Sequence, residues 1–345
     1  MAKKAPTGPS GLIVVDKPAG LTSHDVVSKM RWIAGTRKVG HAGTLDPMAT
    51  GVLILGVNKA TRLLTWVVGE TKTYTATIRL GVSTLTDDAD GDATAIAQEG
   101  TLAAVSEDAI RRHIAELTGD IMQVPSAVSA IKVNGVRSYA RVRSGEDVEL
   151  DARPITVHSF DLHQMRPSTA SYQLGDEEMS ADVLDLDVTV VCSAGTYIRA
   201  LARDLGAALG TGAHLTALRR TAIGDIRAED AHTLDELIAG REAEQPAPLL
   251  PIEEAARRLF EVRQLTAAEA TDLANGRRIS PTEGSAPASP SRTTGSTGGH
   301  DKPTTDGISA AFAPDGTLVA LIENTRFRRE NVAAPVLVFE AGRTF

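Results

Sequence analysis

A chain of 345 residues predicts two domains at ~150 residues each; its 42% apolar residues supply a sizeable core which, with 3% aromatics, must be aliphatic. A formal net charge of −8 excludes a general nucleic-acid coat protein, and a lone cysteine, Cys192, excludes an intrachain disulfide. No apolar run approaches the ~20 residues of a membrane helix, and the start MAKKAPTGPSG has no signal-peptide core, so a cytoplasmic protein without membrane contact is expected.

In chain order, residues 11–15 (GLIVV) read as a short buried strand. Thr22 or Ser23 then caps a helix with Val26, Val27, Met30 and Ile33 at helical spacing, and Gly35 stops it. Segment 38–51 is small and glycine-punctuated, unlike a strand or a helix. Residues 73–80 alternate as a strand with one buried face. Residues 106–118 read as a helix with Ile110, Ile114 and Leu117 on one side and Gly119 beyond its end. Asn134-Gly135 is a hairpin signal between two β-like runs. Residues 184–191 alternate again, and 196–209 make an amphipathic helix. Hairpins, distant strands and few helices predict an α+β domain over roughly 1–240. Residues 284–307, rich in Gly, Ser, Thr and Pro, read as a flexible insert. They interrupt a small β-rich unit at 250–345, which has two strands around Pro314-Asp315-Gly316.

The charge is uneven. Residues 1–70 carry a net +5 and 192–224 a net +3, while 71–191 and 225–345 are acidic. Brought together, the basic blocks would make one positive face; ordinary fluctuation is the plain reading.

Several chemistries find no motif. There is no GxxxxGK[ST] loop, no GxGxxG after a strand and no HExxH, and the eight histidines are scattered. Neither a cofactor nor a metal is therefore expected. Asp87-Asp88-Ala89-Asp90-Gly91-Asp92 looks calcium-like, but Thr86 and Ala97 would fill the first and last ligand positions. It reads as an acidic, solvated turn.

The segment Lys38–Gly51 is the most informative. Asp46 is the only acid between Asp25 and Glu70, and it sits between glycines and before Pro47. A rigid loop holding one carboxylate suits nucleophilic or acid–base catalysis. A turn or capping role is the commoner use of Asp-Pro, and the pattern alone leaves both open.

KVGHAGTLDPMATGVL (38–53) resembles the catalytic signature of the TruB family of tRNA pseudouridine synthases. Leu12–Ser23, Lys72-Thr-Tyr74, Thr86–Gly91, Pro125–Lys132, Tyr139, Cys192–Arg199 and Ala213–Arg220 resemble further family motifs in the expected order, over about 11–225. One departure is Val128, where the family often has an aromatic.

The resemblance implies a pseudouridine-synthase catalytic domain at 10–245 with a mixed, mainly antiparallel sheet, and a PUA-like C-terminal RNA-binding domain at 250–345. It implies conversion of uridine 55 in the T loop of tRNA to pseudouridine, by base flipping and an essential aspartate, and help with tRNA folding. Asp46 becomes the catalytic carboxylate, Arg199 its partner, and Tyr74 the residue on the target base. Leu218 packs on that base, and His41 fills the gap left by the extruded nucleotide. Tyr197, Lys17, Lys132 and Arg220 join the substrate-binding set. Lys38, Arg137, Arg141, Arg143 and Arg219 are further candidates for phosphate contact, and Arg326, Arg328 and Arg329 for the acceptor stem. Each has a plain reading as well: a strand-core tyrosine, a core leucine, a surface charge. No obligate protein partner is expected, and the chain reads as a monomer. The competing readings are a synthase in a guide-RNA complex, a tRNA chaperone and a small-molecule glycosidase. The last would want a second acid beside Asp46, and none lies within the motif.

Overall fold

A computed structural model describes residues 8–126, 150–281, 305 and 307–345, and the backbone of 132–133 and 136–137. The expected insert at 284–307 lies almost wholly outside the described residues, as do Val128, Tyr139, Arg141, Arg143 and the side chains of Lys132 and Arg137. Lys132–Val133 and Val136–Arg137 pair antiparallel on either side of Asn134-Gly135.

The body is one eleven-stranded mixed sheet. Its main strands are β1 (Gly11–Lys17), β3 (Thr50–Val57), β4 (Lys72–Leu80), β5 (Gly119–Gln123), β6 (Arg153–Leu174), β7 (Glu177–Cys192) and β8 (Ala213–Ile223), with a short β2 (Val39–Ala42) paired to β3. Across the sheet the order is β1, β3, β8, β4, β7, β6, β5. Every pairing along that path is antiparallel except β3 with β8. The parallel step places Arg220 opposite Gly51. Gly51 has φ +98°, and a Cβ there would lie 2.2 Å from the Arg220 carbonyl oxygen, so only glycine lets the two strands meet.

Two helices pack on the sheet near the site. The first, α1 (Ser23–Ile33), starts at a capping box formed by Thr22 and Asp25. Val26, Val27, Met30 and Ile33 form its buried side. The second, α2 (Ile198–Ala208), buries Ile198, Leu201, Ala202 and Leu205 in the same cluster as Tyr74, Ile78, Leu186 and Val188. Segment 38–51 is corrected in part: 39–42 and 50–51 are strand, and 43–49 is loop. The pairing of His41 with Leu55 supplies the order that the local sequence lacks.

A second sheet of four strands closes the chain: β9 (Glu261–Gln264), β10 (Ile308–Phe312), β11 (Leu318–Phe327) and β12 (Glu330–Val338). The two sheets share an apolar cluster in which Leu12, Val52 and Ile54 meet Phe260, Phe312 and Phe339. No helix among the described residues is long and apolar enough to cross a membrane.

Candidate active site

The loop 43–49 leaves β2, passes Asp46 and enters β3. Four anchors hold its backbone. Ser23 Oγ accepts from the Leu45 N–H at 2.9 Å and donates to the Leu45 carbonyl at 3.1 Å. Lys17 Nζ donates to the carbonyls of Pro18 (2.8 Å) and Pro47 (3.1 Å). Arg220 Nη2 donates to the Gly43 carbonyl at 3.0 Å, and its Nε to Val52 at 2.8 Å. The Gly20 N–H donates to Pro47 at 2.9 Å. Leu45 and Ala49 bury their side chains in the core, and these polar groups fix the backbone between them.

Asp46 stands 36% exposed at the mouth of a cleft of about 280 Å³. Leu45, Lys72, Tyr74, Tyr197, Leu218 and Arg220 line it together with Arg199. Arg199 lies in the first turn of α2 with its side chain only 5% exposed. Its Nε is 3.0 Å from Asp46 Oδ2, an ion pair in which the N–H does not point along the contact. Its Nη1 donates to the Thr86 carbonyl at 2.7 Å and lies 3.3 Å from Asp88 Oδ2. One guanidinium therefore joins two carboxylates, as its forked geometry allows.

The solvated reading of the acidic turn is corrected here. Asp88 is 4% exposed, because the turn folds back on β8: Leu215 N–H donates to the Asp87 carbonyl at 3.0 Å. Burial pushes the Asp88 carboxyl up, against the Thr86 hydroxyl and Arg199, which favour its charge. Burial also raises Asp87, whose Oδ2 lies 3.7 Å from Arg203. Local sequence could not announce Asp88, since a run of acids normally faces water; its place in the motif Thr86–Gly91 was the available signal. Gln123 was missed as well. This buried amide clamps Tyr197, accepting from its N–H at 2.9 Å and donating to its carbonyl at 3.1 Å. A lone glutamine at a strand end gives no warning of that role.

Tyr74 is buried on β4, opposite Arg220, and burial pushes its phenol up so that it stays protonated. Burial raises the Tyr197 phenol in the same way. Leu218, 7% exposed, forms part of the cleft wall. His41 is half-buried beside the cleft, its ring edge-on to His24 at 5.5 Å. Burial lowers its pKa, with His24 and Arg220 adding to the effect.

The phosphate candidates divide. Lys38 is exposed. Lys17 and Arg220 are 0% exposed and spend their donors on backbone carbonyls, so their expected contact with phosphate is corrected to anchoring of the loop. Arg219 pairs with both carboxylate oxygens of Asp16, at 2.9 and 2.7 Å. Arg326, Arg328 and Arg329 are exposed on the C-terminal sheet. Among the described residues no group of three or more His, Cys, Asp or Glu is placed to hold a metal ion.

A partly exposed carboxylate, charge-paired to a buried arginine, thus shares one cleft with a tyrosine and a leucine. Residues 31–198 match the family model for the N-terminal domain of TruB family pseudouridylate synthases, and 199–257 that for the C-terminal domain of tRNA pseudouridylate synthase B. A protein of Arthrobacter sp. (strain FB24) named tRNA pseudouridine synthase B is 57% identical over 96% of both chains. One of the same name from Streptomyces coelicolor is 49% identical over 95% of this chain and 97% of its own. A solved H/ACA RNP bound to a substrate RNA containing 2′-deoxyuridine shares the fold, with a TM-score of 0.61 at 23% identity over 97% of this chain and 86% of that one. The chain belongs to the TruB family of pseudouridylate synthases, which are isomerases.

Proposed function

We propose that this chain converts uridine 55, in the T loop of tRNA, to pseudouridine. The pairing of Asp46 with Arg199 at the mouth of a cleft lined by Tyr74 and Leu218 is the observation that carries the reading. The names of its relatives support tRNA as substrate.

The isomerisation breaks the N1–C1′ bond, turns the base and joins C5 to C1′. C5 gives up a proton, N1 gains one, and no group is imported. The broken bond is glycosidic, so one carboxylate acts at the sugar, as nucleophile at C1′ or as base at the 2′ carbon. Asp46 is that carboxylate, and Arg199 aims it. Tyr74 meets the base as a neutral phenol and stacks on it, and its hydroxyl relays the C5 proton, passing its own proton on to water as it takes that one. Leu218 closes the other side. The base must leave its stack to arrive, at a cost of a few kcal/mol, and His41 beside the cleft fills the gap. The T loop is recognised by shape more than by base sequence. Arg326, Arg328 and Arg329 are the cations available to an acceptor stem.

Tritium release from a transcript labelled at C5 of uridine tests this reading. Release is expected from a tRNA with uridine 55 and none when cytidine replaces it. Continued release from the cytidine transcript would move the reaction to another position.

A further inference from the structure

The catalytic reading uses the loop before β3 and the first turn of α2. It leaves the outward face of α1 without a task. On that face His24, Asp25, Ser28, Lys29, Arg31 and Trp32 are exposed, opposite the buried Val26, Val27, Met30 and Ile33. The chain has two tryptophans. Trp66 is 7% exposed and edge-on to Phe260, whereas Trp32 is 51% exposed. A single exposed apolar side chain is ordinary by itself, and Trp32 gains meaning from the charges beside it.

Exposed cations flank Trp32 along the chain. Lys29 lies one turn before it, Arg31 adjoins it, and Arg37 and Lys38 are exposed in the segment that follows. Residues 23–38 carry a net +3 in a chain of −8. Their single acid, Asp25, is occupied by the cap, accepting from the backbone N–H and hydroxyl of Thr22. The helix is also tied to the catalytic loop. Ser23 bonds both backbone groups of Leu45, the residue before Asp46, and His24 touches His41. The exposed face thus begins at the rim of the cleft and runs eight residues, ~12 Å, to Trp32.

We propose that this face of α1 docks the sugar–phosphate backbone of the same tRNA beyond the flipped nucleotide. Trp32 packs against a ribose or base, and Lys29, Arg31 and Arg37 face phosphates. The assignment rests on tRNA being the substrate. Charge complementarity commits the face to a polyanion: residues 23–38 carry a net +3, and their one acid is held by the Thr22 cap.

Tryptophan emission titrated with an unlabelled tRNA transcript reads the contact directly. Emission is quenched in the wild-type protein and not in Trp32→Phe. Trp32→Ala raises KM about tenfold while kcat at saturating tRNA holds. The double variant Lys29→Ala with Arg31→Ala lowers the slope of log affinity against log salt by about 1.5, and Lys29→Arg with Arg31→Lys restores it. Circular dichroism melts confirm that each variant folds. Equal quenching in Trp32→Phe together with an unchanged salt slope would overturn the proposal. So would a loss of self-association in Trp32→Ala at unchanged RNA affinity, which would assign the face to a second copy of the chain. Wild-type tritium release, measured in parallel, separates the two claims. Turnover with no role for Trp32 sinks only the docking surface; quenching through Trp32 without turnover sinks only the proposed reaction.

Discussion

Two loops deliver a carboxylate to the same guanidinium, and they are built in opposite ways. The loop 43–49 keeps Asp46 36% exposed and is gripped from outside by Lys17, Ser23 and Arg220. The turn 84–92 keeps the Asp88 side chain 6% exposed and grips itself: Thr84 Oγ1 donates to the Asp88 carbonyl at 2.7 Å, and the Thr86 hydroxyl and Asp90 N–H donate to its carboxylate. The same ion-pair chemistry therefore serves two ends. Asp46 faces the cleft, whereas Asp88 reaches only Arg199 and its own turn. Asp88 fixes the guanidinium and leaves one side of it for Asp46, so the buried acid is a positioning residue for the exposed one.

Removing the shared partner breaks both halves. Arg199→Ala leaves Asp88 buried without a counter-charge, at a cost of about 3 kcal/mol in stability, and lets Asp46 drift, so kcat falls at least ~10²-fold. Urea unfolding and single-turnover kinetics check the two parts. Asp88→Asn sharpens the contrast. It preserves shape but loses the charge that orients Arg199, so kcat falls about 10–100-fold with KM little changed, as Michaelis kinetics on a tRNA transcript will read.

The smallest effect concerns the outer grip on the first loop. Burial draws the Lys17 ammonium down from 10.5 to about 8, with Asp46 opposing the shift and Arg220 adding to it. The folded chain releases this proton near pH 8, while the unfolded chain holds it to about 10.5. The unfolded state thus binds more protons in that window, and this group's contribution to stability rises with pH across it. Lys17→Met flattens the rise, which urea midpoints at pH 8, 9 and 10 will show.

Elements with local signals were legible in the sequence. The Thr22 cap, the alternation of 73–80 and the stripe of 196–209 each became the expected element within two residues. What depended on distant partners was not. Segment 39–42 becomes a strand only because β3 lies beside it. β6 and β7, of 22 and 16 residues, extend well beyond the readable alternation of 184–191, since their outer part buries little beyond a small cluster of Ala181 and Val183 with Ala170 and Tyr172. Lys17 and Arg220 read as surface cations because sequence cannot show that backbone carbonyls will converge on them. Asp46 and Arg199 were found through their motifs, and the fold brings them to 3.0 Å from positions 153 residues apart.

The central claim is that Asp46, and not its buried counterpart, does the chemistry. Tritium release from a C5-labelled tRNA transcript, wild type against Asp46→Asn with binding measured alongside, tests it most directly. Release by the wild type, with a fall of at least ~10³-fold in the variant at near-normal tRNA affinity, is the expected result. Release at comparable rates from both proteins would contradict the account and place the catalytic carboxylate elsewhere.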